Sequence, residues 1–148
     1  MISNTTILAV LHHLFVFSFI SILFGEYAIL KFPIDRKKVG FLIKLNCWSI
    51  GLLLGAVIFG LGRVYYGEKS QVYYFDNYFF WIKIISIGIL FIYSILLLRL
   101  LQSLKSSHGY EKYLTSADLA KKAYRIVFIQ MHIFPIPIIA AVIMAKGY

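Results

Sequence analysis

The chain has 148 residues, of which 61% are hydrophobic and only 14% charged, and its formal net charge is +9. A soluble domain carries about 45–50% apolar and about 25% charged residues, so the composition excludes an ordinary soluble globule and indicates an integral membrane protein. Nucleic-acid binding is excluded as the reason for the positive charge, because too few polar residues remain to build such an interface.

Four segments are long enough to cross a bilayer, which takes roughly 20 residues. They run from about 7 to 30, 39 to 61, 79 to 101 and 123 to 145. The expected fold is all-α: one transmembrane domain over 1–148, an antiparallel four-helix bundle with short loops. Ahead of the first segment, Met1 to Thr6 contains no Lys or Arg. The basic region of a signal peptide is missing, so this segment is expected to stay as an anchor.

The first segment carries two adjacent histidines, His12 and His13. An ionisable residue inside a bilayer is costly and is a functional candidate by default. Imidazole is also a common ligand for haem iron and other metals. The two lie 100° apart on a helix, so they do not face the same partner. Phe19, Leu23 and Glu26 stand seven, eleven and fourteen positions after His12 and share its face. Glu26 is about 21 Å further along the helix. It is expected to pair with Arg125, or with Arg99 or Lys44, as a structural ion pair.

The second segment holds Cys47, expected as a small apolar core residue, and Gly51, Gly55 and Gly62 on one face. Small residues let another helix approach closely, and the Gly51/Gly55 face is a candidate for homo-oligomer contact. Arg63 closes this segment. The stretch from Tyr65 to Trp81 is dense in aromatic residues. It reads as an interfacial aromatic belt, with a lid over an outward-opening pocket as the alternative.

Lys83 lies about four residues inside the third segment, and His12 about five residues, or about 8 Å, inside the first. Before the fourth segment, Thr115 or Ser116 is expected to cap a helix. Pro135 and Pro137 should kink the fourth segment, which membrane helices tolerate when neighbours satisfy the freed carbonyls. His132 lies about 18 Å deep, about 10 Å deeper than His12.

Charge sets the expected orientation. Lys31, Arg36, Lys37, Lys38 and Lys44 flank the first connection, and Arg99, Lys105, Lys112, Lys121, Lys122 and Arg125 flank the third; that is eleven of the fifteen basic residues. Arg63, Lys69, Lys83 and Lys146 fall on the other side. The positive-inside rule then puts both termini outside and the basic loops in the cytoplasm. The location expected is a membrane whose cytoplasmic side carries the two basic loops.

Three helices therefore bring His12, Arg63 and Lys83 to one layer. A haem needs a neutral imidazole for its iron, an apolar slot for its ring and basic groups for its propionates. No Walker loop, nucleophile elbow, zinc spacing or paired-carboxylate site is present.

Leu11-His12-His13-Leu14, Glu26, Gly62-Arg63, the run from Asn77 to Lys83, and the closing Met144 to Gly147 form an ordered pattern along the chain. The pattern resembles a family of small bacterial four-helix membrane proteins classed as a domain of unknown function. A more distant likeness is to HemJ-type membrane protoporphyrinogen oxidases and to the membrane part of CopD-type copper-resistance proteins. HemJ-type proteins bind haem b and use an essential histidine and lysine, which His12 and Lys83 match. The chain departs from them at Glu26, near where they carry an arginine, and it lacks their Asn-Glu-x-Pro motif.

The resemblance implies a haem-b-binding redox protein, with an oxidoreductase acting on a tetrapyrrole or quinone as its enzymatic form. His12 (or His13) would be the axial ligand and His132 the second. Arg63 and Lys83 would contact propionates or substrate, with Lys83 as the catalytic lysine. Two alternatives stand beside it: a copper-binding or copper-transport protein held by His12 and His132, and a non-catalytic assembly or scaffold subunit.

Overall fold

The computed structural model describes residues 4–67, 69–106 and 113–146, without the side chains of 113–116. The described chain is all-helical: α1 (Asn4–Leu30), α2 (Arg36–Tyr66), α3 (Gln71–Phe75), α4 (Tyr78–Ser106), α5 (Tyr113–Ile133) and α6 (Pro135–Ala145). Four stretches are long and apolar enough to cross a membrane: Asn4–Leu30, Arg36–Tyr66, Tyr78–Ser106 and Ala117–Ala145.

The helices overrun the expected spans. With 31 residues, α2 measures about 46 Å, against a hydrocarbon core of about 30 Å. Its start is fixed by Asp35, whose carboxylate accepts from the Lys38 backbone N–H at 2.7 Å. This cap satisfies one of the amides left free at a helix start and draws Arg36 to Lys38 into the helix. In the fourth segment α5 begins at Tyr113. Thr115 and Ser116 thus fall inside its first turn, and their capping side chains, like Lys112, lie outside the described residues.

The proline break falls where the sequence places it. The Phe134 N–H still donates to the Gln130 carbonyl at 2.9 Å, and α6 restarts with Pro135 as its first residue. Proline has no N–H to continue the ladder, so the fourth segment is two helices joined at Phe134.

Glycine sets how closely α1 and α2 pack. A Cβ on Gly62 would lie 3.3 Å from Leu8, and one on Gly60 3.2 Å from the His12 ring. The Phe15 ring fills the place a side chain on Gly55 would need. Gly51, by contrast, has nothing within 4 Å of a Cβ. The expected Gly51/Gly55 oligomer face is therefore not a single free surface, since Gly55 is used against α1 of the same chain. A four-residue step on a helix turns through 400°, so Gly51 sits 40° round from Gly55; here that rotation separates outside from inside. Cys47 is also exposed on the outside of the bundle and is not the core residue expected.

The core brings four helices together through Phe19 and Leu23 of α1, Leu42 and Leu53 of α2, Leu90, Leu97 and Leu101 of α4, and Ala123 and Val127 of α5. Large apolar side chains such as Trp48 (68% exposed) and Ile58 (65% exposed) turn outward. Bundles whose outer face is this apolar are built to meet lipid, not water.

Candidate functional site

His12 is the side chain around which the site is built. Its position on α1 follows from the stripe His12, Phe19, Leu23, Glu26 and Leu30, all of which are buried. The imidazole Nδ1 lies 2.8 Å from the carbonyl oxygen of Ala56 on α2. A carbonyl only accepts, so Nδ1 carries the proton. Nε2 is left with its lone pair, the tautomer that a hydrogen bond from the other ring nitrogen selects in ligand histidines.

The ring lines a cavity of about 510 Å³ between α1, α2, α4 and α6. This lies within the roughly 300–1,000 Å³ typical of small-molecule sites. Its walls are mostly apolar, with Phe19, Leu53, Leu90 and Phe134 at the inner end. Phe17, Leu61, Ile138 and Val142 line it and are also exposed, so the cavity breaks the side of the bundle.

Three cations reach the same space: Arg63 from the end of α2, Lys83 from α4, and Lys69 from the segment before α3. Arg63 and Lys83 are close enough to His12 for their charges to act on it, and to one another. Among the described residues no carboxylate lines the cavity. The described lining is therefore an apolar slot with positive charge gathered at one end, which suits an apolar body carrying acidic groups.

The segment after α2 covers this end. Ser70 caps α3, accepting from the Tyr73 N–H at 3.3 Å. The Tyr73 hydroxyl donates to the Met144 carbonyl at 2.6 Å and accepts from Lys69 Nζ at 2.9 Å. The Trp81 indole N–H donates to the Phe75 carbonyl at 3.0 Å, fastening α3 to α4. The aromatic stretch thus divides. Tyr65, Tyr66 and Tyr78 are exposed, as in a belt, whereas Tyr73 and Tyr74 line the cavity, as in a lid.

The other expected site residues separate. His13 sits at the rim, exposed, with Nδ1 held 2.6 Å from the Ala9 carbonyl of its own helix. His132 is exposed on the outside, its Nδ1 held 2.8 Å from the Phe128 carbonyl. It does not line the cavity. The helix rotation that turns Gln130 and Phe134 inward turns His132 out, so it is not brought together with His12. Among the described residues no three His, Cys, Asp or Glu side chains converge on one point.

The ion pair expected between Glu26 and Arg125 is not formed. Glu26 is fully buried, and among the described residues neither oxygen has a partner in full hydrogen-bond geometry, while Arg125, Arg99 and Lys44 are all exposed. The polar group that faces Glu26 is instead Asn46 of α2. Asn46 and Gln130 are functional candidates the sequence reading passed over. Both are amides deep inside apolar spans, the same signal that singled out the histidines.

A family model for predicted membrane proteins, DUF2214, matches residues 4–148. The chain belongs to this family. No curated protein and no solved structure matches the chain. In this DUF2214 chain His12 of α1 and Lys83 of α4 line one cavity.

Proposed function

We propose that the chain is a haem-b-binding redox protein of the bacterial cytoplasmic membrane. It would stand as an antiparallel bundle with both termini outside and its basic loops in the cytoplasm. The observation that carries the reading is the His12 imidazole. Its Nδ1 is committed to Ala56, which leaves Nε2 for a ligand in a cavity that also holds Arg63 and Lys83.

The donor set fits a haem with one protein ligand on its iron. His12 would be that ligand, the apolar walls would take the ring, and Arg63 and Lys83 would meet the two propionates. His132 would take no part. When bound, haem supplies one-electron chemistry and a site for small diatomic ligands. The protein's own work is to hold the His12 tautomer, neutralise acidic groups at the cationic end, and keep water from the apolar end. Lys83 makes no hydrogen bond or ion pair among the described residues. It is free to contact a propionate or to hold a proton on a bound tetrapyrrole or quinone, the substrate class proposed for an oxidoreductase.

The test is an absorption spectrum of the detergent-purified full chain, oxidised and then reduced with dithionite. A Soret band that shifts on reduction, and that is absent in His12→Ala, is expected. A colourless protein from haem-supplied cells, or a Soret band unchanged in His12→Ala, overturns the reading.

A further inference from the structure

Among the described residues, six buried side-chain atoms have no partner in full hydrogen-bond geometry: Oε1 and Oε2 of Glu26, both amide atoms of Asn46, Oγ of Ser49 and Oε1 of Gln130. Folded proteins leave few such groups unpaired, and ordered water is their usual partner. Their placement follows the helix repeat. The inner end of the cavity is formed by Phe19, Leu53, Leu90 and Phe134. Four residues further from the cavity on three of these helices, one turn along, stand Ser49, Ser94 and Gln130. Gln130 Nε2 donates to Ser94 Oγ at 2.9 Å and to the Leu90 carbonyl at 3.3 Å. About a turn beyond Ser49 is Asn46, whose amide faces Glu26. Polar groups thus continue the line of the cavity past its apolar end, through a bundle otherwise filled by leucine, valine and phenylalanine.

Among the described residues Glu26 has no basic partner. On α1 its titratable neighbour is Tyr27, whose hydroxyl accepts from Tyr124 of α5 at 3.0 Å; on α2 it meets the neutral Asn46. A carboxyl group among neutral amides and hydroxyls, in line with a cavity, is suited to carrying one proton and passing it along water.

We propose that Glu26, Asn46, Ser49, Ser94 and Gln130 form a hydrated proton path that ends beneath the cavity, with Glu26 as the proton-binding group. The carboxyl takes a proton from water on one side and releases one to water on the other. Only O–H bonds form and break, and nothing is oxidised or reduced. The path does not depend on what occupies the cavity, so it stands or falls apart from the haem reading.

The test is infrared spectroscopy of the full-length protein in lipid vesicles as H₂O is replaced by D₂O. The expected result is a carboxylic-acid C=O band that is absent in Glu26→Gln and that shifts as fast as the buffer is exchanged. Gln130→Leu, which leaves Glu26 in place, is expected to slow that shift roughly tenfold, or about 1.4 kcal/mol of added barrier. A spectrum in which Glu26→Gln removes no such band overturns the proposal. So does a Glu26 band that exchanges no faster than the core amides, which would mark a sealed structural acid. An exchange rate unchanged in Gln130→Leu removes the path while leaving the proton on Glu26.

Discussion

The Nδ1–H of His12 donates to the carbonyl oxygen of Ala56 across the α1–α2 interface, over 2.8 Å. One bond thereby fixes the ring's rotation, its tautomer and the nitrogen left for chemistry. His13, one residue on, makes the equivalent bond within its own helix and is held away from the core.

The two histidines should therefore differ sharply on substitution. His12→Ala is expected to abolish haem retention, whereas His13→Ala and His132→Ala keep it near the wild-type level. The check is the ratio of Soret to protein absorbance in the purified variants.

A methyl group at Gly60 would meet the His12 ring at 3.2 Å. Gly60→Ala should displace the imidazole and lower ligand loading while the fold persists, as read from the spectrum beside a thermal melt. Gly55→Ala acts differently because it drives Phe15 out of place. Overpacking of this kind typically costs about 1–3 kcal/mol, so that variant should melt at lower temperature with or without ligand.

The stripe that carries His12 was legible in the sequence because it follows the helical repeat. Positions seven, eleven and fourteen after His12 are all buried with it. The proline break was legible for an equally local reason, the missing N–H of Pro135. What local pattern does not contain is the rotation of each helix against its neighbours. That rotation turned His132 outward, exposed Cys47, divided Gly51 from Gly55, and left Glu26 facing Asn46 in place of Arg125. α3 was unreadable because five residues are too few to show a period; its shape comes from the Ser70 cap and two tertiary bonds.

Arg63 and Lys83 have no counter-charge in the cavity among the described residues. A ligand carboxylate paired with either should contribute about 1.5–3 kcal/mol, so Arg63→Gln or Lys83→Gln is expected to weaken haem binding by roughly 10–100-fold. The loss should be smaller at high salt, because screening already weakens the pair in the unsubstituted protein. Titration of the apo-protein with haem at two ionic strengths checks both.

Tyr73 ties α3 to α6 through Met144 and also receives Lys69. Tyr73→Phe removes both bonds, each worth about 1 kcal/mol, while keeping the ring. Amide hydrogen exchange over residues 69–76 should quicken and ligand should leave faster, with little change in global melting. Unchanged exchange there would show that the Trp81 bond to Phe75 is enough to hold α3.

The cavity is open on a side that Phe17, Leu61, Ile138 and Val142 share with the outer surface of the bundle. A guest that dissolves in lipid can then arrive sideways, already concentrated by partitioning, and its acidic end need only slide to Arg63 and Lys83. The concentration that governs occupancy is accordingly the mole fraction in the leaflet. An affinity measured in detergent is diluted by every micelle added, and the same protein in vesicles should saturate at a far smaller total amount of ligand.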